Sequence, residues 1–172
     1  MTDILPTISE SDALATLRGF FLTVVSCEVI RAQQNKVAMP KGEFIALTPV
    51  NFKALNTPVN TNTATQQTIE RHYQFIVQVD CYGANALGRA TTLSMLLRDG
   101  IATDYFSQSG FNCQTLYADD AQQLPIVTGE EQWLERWTFQ SALQLNQQIT
   151  TTIETADTLS IDLIDVDAQY PA

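Results

Sequence analysis

The 172-residue chain carries 19 acidic side chains against 9 basic ones, a formal net charge of −10, and 45% of its residues are hydrophobic. That length suits one domain with an ordinary core, and no run approaches the roughly 18 apolar residues of a membrane span. A surface so acidic repels DNA phosphates, which argues against a protein that grips nucleic acid.

The charge is unevenly placed. Residues 1–118 hold 9 acids and 8 bases, whereas residues 119–172 hold 10 acids and a single base, Arg136. Residues 1–10 lack the basic-then-apolar layout of a secretory signal, so synthesis in the cytoplasm is expected. Cys27, Cys81 and Cys113 are widely separated, no Cys-x-x-Cys pair exists, and His72 is the one histidine. A zinc site needs four clustered ligands, so three reduced cysteines acting as small apolar residues are expected instead.

The first element is an amphipathic helix. Ala13, Leu14, Leu17, Phe20, Phe21, Val24 and Val25 recur at helical spacing, with Ser9 or Ser11 as the N-cap and an end near Ile30. Gly19 lies inside it, at a cost of about 1 kcal/mol relative to alanine. A basic, turn-rich link follows over residues 31–42, then a short strand at residues 43–48 bounded by Pro49. Residues 50–67 are rich in Asn and Thr, and read as a long mobile surface loop or a loose hairpin.

Residues 68–82 are the clearest strand, with Ile69, Arg71, Tyr73, Phe75, Val77, Val79 and Cys81 on one face and mostly polar residues on the other. One polar face favours antiparallel pairing in a sheet covered on one side. Leu87, Ala90, Leu93, Leu97 and Ile101 predict a second helix stopped at Gly100, with a further helical turn through Asp104 to Phe106. Residues 112–117 are a short strand and residues 119–129 a loop. Residues 131–145 are a long strand with Trp133, Trp137, Phe139, Leu143 and Leu145 on one face, where the two tryptophans read as core packing or, alternatively, as part of an interface. Residues 158–166 are a last strand. The order predicts an α+β fold: one domain over residues 1–172, with an antiparallel β-sheet and two α-helices packed on one of its faces.

The chain carries no phosphate-binding loop and no nucleophile elbow. His72 falls on the polar strand face, where a solvated imidazole is expected. Adjacent Asp119 and Asp120, and the group Asp162, Asp165 and Asp167, are the only acid clusters that could support a small-molecule or metal-binding enzyme. The aspartate spacing of a calcium loop is absent, and no cofactor is implied.

Several stretches together resemble the phage neck terminator family, a type also met among tail completion and tail terminator proteins. They are residues 35–42 (NKVAMPKG) with 44–49 (FIALTP), 75–83 (FIVQVDCYG), 97–99 (LRD), 116–120 (LYADD) and 125–137 (PIVTGEEQWLERW). Each is strand-and-turn sequence; the set in order carries the likeness. The resemblance implies a non-enzymatic virion component assembled in the host cytoplasm. It implies a ring, commonly a hexamer, between tail-tube and head–tail connector proteins, with DNA passing through the centre as cargo. An adaptor in a tail-derived secretion or contractile machine would share such a subunit. A DNA-conducting ring needs a lumen that does not hold phosphates. Asp119, Asp120, Glu130, Glu131, Glu154, Asp157, Asp162, Asp165 and Asp167 are therefore the candidate channel- or partner-facing acids.

Overall fold

The computed structural model describes residues 3–33, 39–127 and 133–154. Helix α1 spans Glu10–Val24. The Ser9 side chain accepts from the Asp12 backbone N–H and the Asp12 carboxylate accepts from the Ser9 N–H, so two otherwise unpaired donors are satisfied at once. The helix ends six residues before the expected Ile30. Val25 is already extended, and Glu28–Arg31 form strand β1. The β-branched Val29 and Ile30 gain more as a strand, where Val29 is buried beside Ile45.

Strand β2, Phe44–Ala54, runs through Pro49 instead of stopping at it. The register shifts between Pro49 and Asn51, so a bulge absorbs the missing N–H. Strand β3, Val59–Asn62, and strand β4, Gln66–Tyr82, follow. Residues 50–67 thus take the hairpin reading: most of that segment is an arm of paired strands.

Helix α2 covers Ala86–Leu97 and helix α3 Gly100–Gln108, so there are three helices where two were expected. Gly100 opens α3 and does not end a helix. Asp99 precedes it in extended conformation, and its carboxylate accepts from the Ile101 N–H at 3.1 Å. Ile101 and Leu87 are exposed; the buried stripe of α2 is Ala86, Ala90, Leu93 and Leu97.

Strand β5 is Cys113–Ala118. The expected loop after it contains two-residue strands β6, Gln122–Gln123, and β7, Ile126–Val127. The long strand expected from residue 131 is divided into β8, Trp133–Leu134, and β9, Arg136–Thr152. The strand expected over residues 158–166 lies outside the described residues.

The main sheet is ordered β1-β2-β4-β9-β5, with β3 also on β4 and β6 also on β9. All of its pairs are antiparallel except β1 with β2. Strands β4 and β9 pair along their whole 17-residue lengths, Gln66 opposite Thr152 and Tyr82 opposite Arg136. Phe75, Val77, Val79 and Cys81 of β4, with Phe139, Leu143 and Leu145 of β9, form one core with the buried faces of all three helices. Among the described residues, the other sheet face is covered only at one end. There Phe44, Ala46 and Tyr82 are covered by Ile126 and Leu134 of the β7–β8 hairpin, with Phe44 and Tyr82 stacked at 4.4 Å.

Gly19 has a specific reason. A Cβ there would lie 2.5 Å from the Tyr105 hydroxyl of α3. Gly19→Ala should therefore lose the roughly 1 kcal/mol that alanine otherwise contributes in a helix. In a Tyr105→Phe background the next atom lies at 3.7 Å, and the same change should stabilise by about 1 kcal/mol. Denaturant melts of the four variants test this; no coupling between the two sites would refute the contact.

Candidate assembly surfaces

The acids singled out in the sequence separate in space. Asp119 directly follows β5, with its N–H donating to the Gln140 carbonyl at 2.8 Å and its own carbonyl accepting from Ser94 at 2.6 Å. Both its side chain and that of Asp120 are exposed, and Asp120 meets Arg98 at 3.3 Å. The two border a shallow polar pocket on the open sheet face, beside Gln78, Gln122, Thr138 and Gln140. Glu154 follows the far end of β9. The run of β9 from Gln140 to Thr152 holds it about 40 Å from Asp119, at roughly 3.3 Å per residue. Glu130, Glu131, Asp157, Asp162, Asp165 and Asp167 lie outside the described residues.

No group of three or more metal-ligating side chains exists among the described residues. His72 contacts Glu70 at 3.0 Å, at the side of the arm. The cysteines are free, and burial pushes the Cys81 thiol up to about 12, so it stays protonated at neutral pH.

The six arginines are engaged within the fold. Arg18 donates to the Val29 carbonyl, Arg71 to the Asn56 carbonyl, and Arg31, Arg89, Arg98 and Arg136 pair with Glu10, Glu43, Asp120 and Asp80. The Glu43 carboxylate also accepts from the backbone and side chain of Asn85, so it fastens β2 to the start of α2. The Arg89 hydrogen bond holds its carboxyl below the ordinary value of 4.5. A depressed value means that the stabilisation is present above about 4.5 and is lost as pH falls through the lower folded-state value. Glu43→Gln should therefore flatten the acid limb of stability below pH 4.5. The wild-type and variant melting temperatures should converge as pH falls below 4.5; a constant gap would refute this linkage.

The exposed apolar residues are the feature that sequence patterning misplaced. Trp133 belongs to the small hairpin and is 75% exposed, whereas Trp137 packs against the core. The period-two spacing joined them, but Glu135 interrupts the strand between β8 and β9. Val127 and Leu124 are exposed near Trp133. At the opposite end of the sheet the arm exposes Val50, Phe52, Leu55 and Val59, with Phe52 stacked on Tyr73 at 4.5 Å. Their signal in the sequence was only an apolar residue every few positions within an Asn/Thr-rich stretch. Among the described residues, β1 and β5 each have one neighbour within the main sheet.

A family model described as phage neck terminator protein matches residues 11–167. The chain belongs to the phage neck terminator family. The match covers most of the sequence, including all three helices except the first residue of α1. Membership makes this neck terminator protein a structural assembly component of a phage, located in the virion. No curated protein matches the chain. None of the described helices is long and apolar enough to cross a membrane. The likeness carried by the short motifs over residues 35–137 thus extends over residues 11–167.

Proposed function

We propose that this neck terminator protein acts as a ring of identical subunits, a hexamer, at the head–tail joint. It ends or seals the tail tube, contacts tube and connector proteins, and lets DNA pass through its opening. It assembles in the host cytoplasm and performs no chemistry of its own. The observation that carries this reading is the pair of projections at opposite ends of a single long sheet. The arm around residues 50–67 and the hairpin bearing Trp133 both expose apolar side chains beyond the helix layer. A monomer gains nothing by exposing them, and exposed apolar clusters mark contact surfaces. Sheet edges at β1 and β5 differ from each other, so joining one to the other is heterologous and closes a ring by rotation.

Mass photometry at micromolar concentration, with and without tail-tube protein, tests this. Discrete rings, or subunits captured on tube ends, are expected. A strict monomer under all conditions that binds neither tube nor connector would end the proposal.

The arm makes a separate contribution. Every residue of β3 is exposed, so the strand has little apolar anchoring in the isolated subunit. It should move there and become ordered on docking. Deleting about six residues around Asn60 should leave the melting temperature nearly unchanged while impairing assembly. Assembly equal to wild type would remove the arm from the contact. The acids at 119, 120, 130, 131, 154, 157, 162, 165 and 167 remain the proposed channel- or partner-facing carboxylates.

A further inference from the structure

We infer that the open face of the sheet, between the arm and the β7–β8 hairpin, is the wall of the DNA path. A double helix slides along it without being held. The inference rests on the ring reading above and names the surface that reading leaves open.

A protein face left to water usually mixes free lysines, arginines, aspartates and glutamates. This one does not. Of the opposed pairs across β4 and β9 on this face, Thr68 with Thr150, Gln74 with Gln144, Ile76 with Ala142, and Gln78 with Gln140 are uncharged, while Glu70, Asp80 and Arg136 belong to the others. Asp80 pairs with Arg136, and the Glu70 carboxylate is hydrogen-bonded by His72 and Gln148. Lys53, opposite Gln74 on β2, is the exception.

Four of the amide nitrogens are also directed at neighbours, those of Gln78, Gln144, Asn146 and Gln148. Gln78 donates to both Asp80 oxygens at 3.0 and 3.1 Å. Gln144 donates to Asn146 at 2.8 Å, Asn146 to Asn112 at 2.9 Å, and Gln148 to Glu70 at 3.0 Å. Phosphate oxygens accept hydrogen bonds and attract cations. A wall with most of its amide donors turned to neighbouring side chains, and its arginine neutralised by Asp80, offers them little. Asp119 and Asp120 at its margin add repulsion at the border. Fixed cations would create binding minima that strengthen at low salt, and a dense acidic wall would create a barrier. Paired amides and hydroxyls avoid both. At roughly 3.3 Å per residue the 17-residue strands give a face about 55 Å long.

The test uses preformed rings of the full chain and adds fluorescent duplex DNA, either linear or covalently closed. The variant pair Gln74→Lys with Gln140→Lys places cations on this face; Gln140→Asn is the neutral control. Wild-type and control rings should retain neither DNA. The lysine rings should retain linear duplex about tenfold better at low salt, with retention lost as salt rises, and should not retain closed circles, which cannot thread. Equal capture of linear and closed DNA would place this face on the outside and overturn the inference. Capture of neither by intact lysine rings would overturn it as well. Lysine variants that no longer form rings while the control does would make the face a contact between subunits, again overturning it. Absence of rings in the wild type would instead defeat the ring reading, and this one with it.

Discussion

Arg136→Ala is expected to destabilise the fold by about 3–5 kcal/mol, because it strands a buried carboxylate. The Asp80 side chain is only 5% exposed, and its Oδ1 accepts from both Arg136 Nε at 3.0 Å and the terminal guanidinium nitrogen at 2.9 Å. With the guanidinium gone, Gln78 alone donates to that carboxylate through its side chain. One neutral amide does not offset the desolvation of a charge. Removing both partners reverses the sign of the argument. Asp80→Leu with Arg136→Met should recover most of the loss or exceed wild type, since apolar replacements of buried pairs are often neutral or stabilising by about 1–4 kcal/mol. Urea melts of the two singles and the double measure the coupling. Additive losses would mean that the pair does not act as a unit.

Phe20→Ala should be comparably severe, at about 3–5 kcal/mol, through a different cause. Phe20 is 1% exposed and joins α1 to α3, with ring centroids 5.4 Å from Tyr105 and 6.2 Å from Phe106. Alanine leaves a void that neighbouring rings on two helices cannot close without moving apart. Phe52 on the arm supplies the contrast. It too stacks on an aromatic ring, but it is 45% exposed, and Phe52→Ala should cost about 1 kcal/mol. Equilibrium unfolding of both variants separates core packing from surface stacking. Similar losses at the two sites would mean that the arm is part of the cooperative core.

The difference between these two phenylalanines marks what was legible in the sequence. Periodicity located α1, β4, α2, β5 and most of β9, because one face of each is apolar and buried in the same core. It identified the covered face of β4 correctly for Phe75, Val77, Val79 and Cys81. It failed where tertiary pairing overrides local pattern. The segment after Val24 became β1 because β2 offers it hydrogen bonds. Pro49 sits inside a strand because a bulge accommodates it. Gly100 begins a helix because Asp99 caps it. The Asp80–Arg136 pair was invisible, since 56 positions separate its members and only the β4–β9 register brings them together. The candidate acids were read from charge density alone. Charge density does not determine where a side chain lies in the fold, and Asp119 and Glu154 proved distant from each other.

The β4–β9 ladder also governs how the protein can reach its fold. Half the chain lies between Gln66 and its partner Thr152, so the central pair of the sheet is a non-local contact along its whole length. Loop-closure entropy must be met before those pairs form, which places folding in the slower range of two-state domains, on the order of milliseconds to seconds. During synthesis β4 emerges before β9 exists, with the apolar side of its second half unpaired on one flank and the helices lacking most of the surface they pack against. The nascent subunit is therefore most exposed to aggregation just before β9 leaves the ribosome. The helices must wait for the late-synthesised strand before their apolar faces are fully covered.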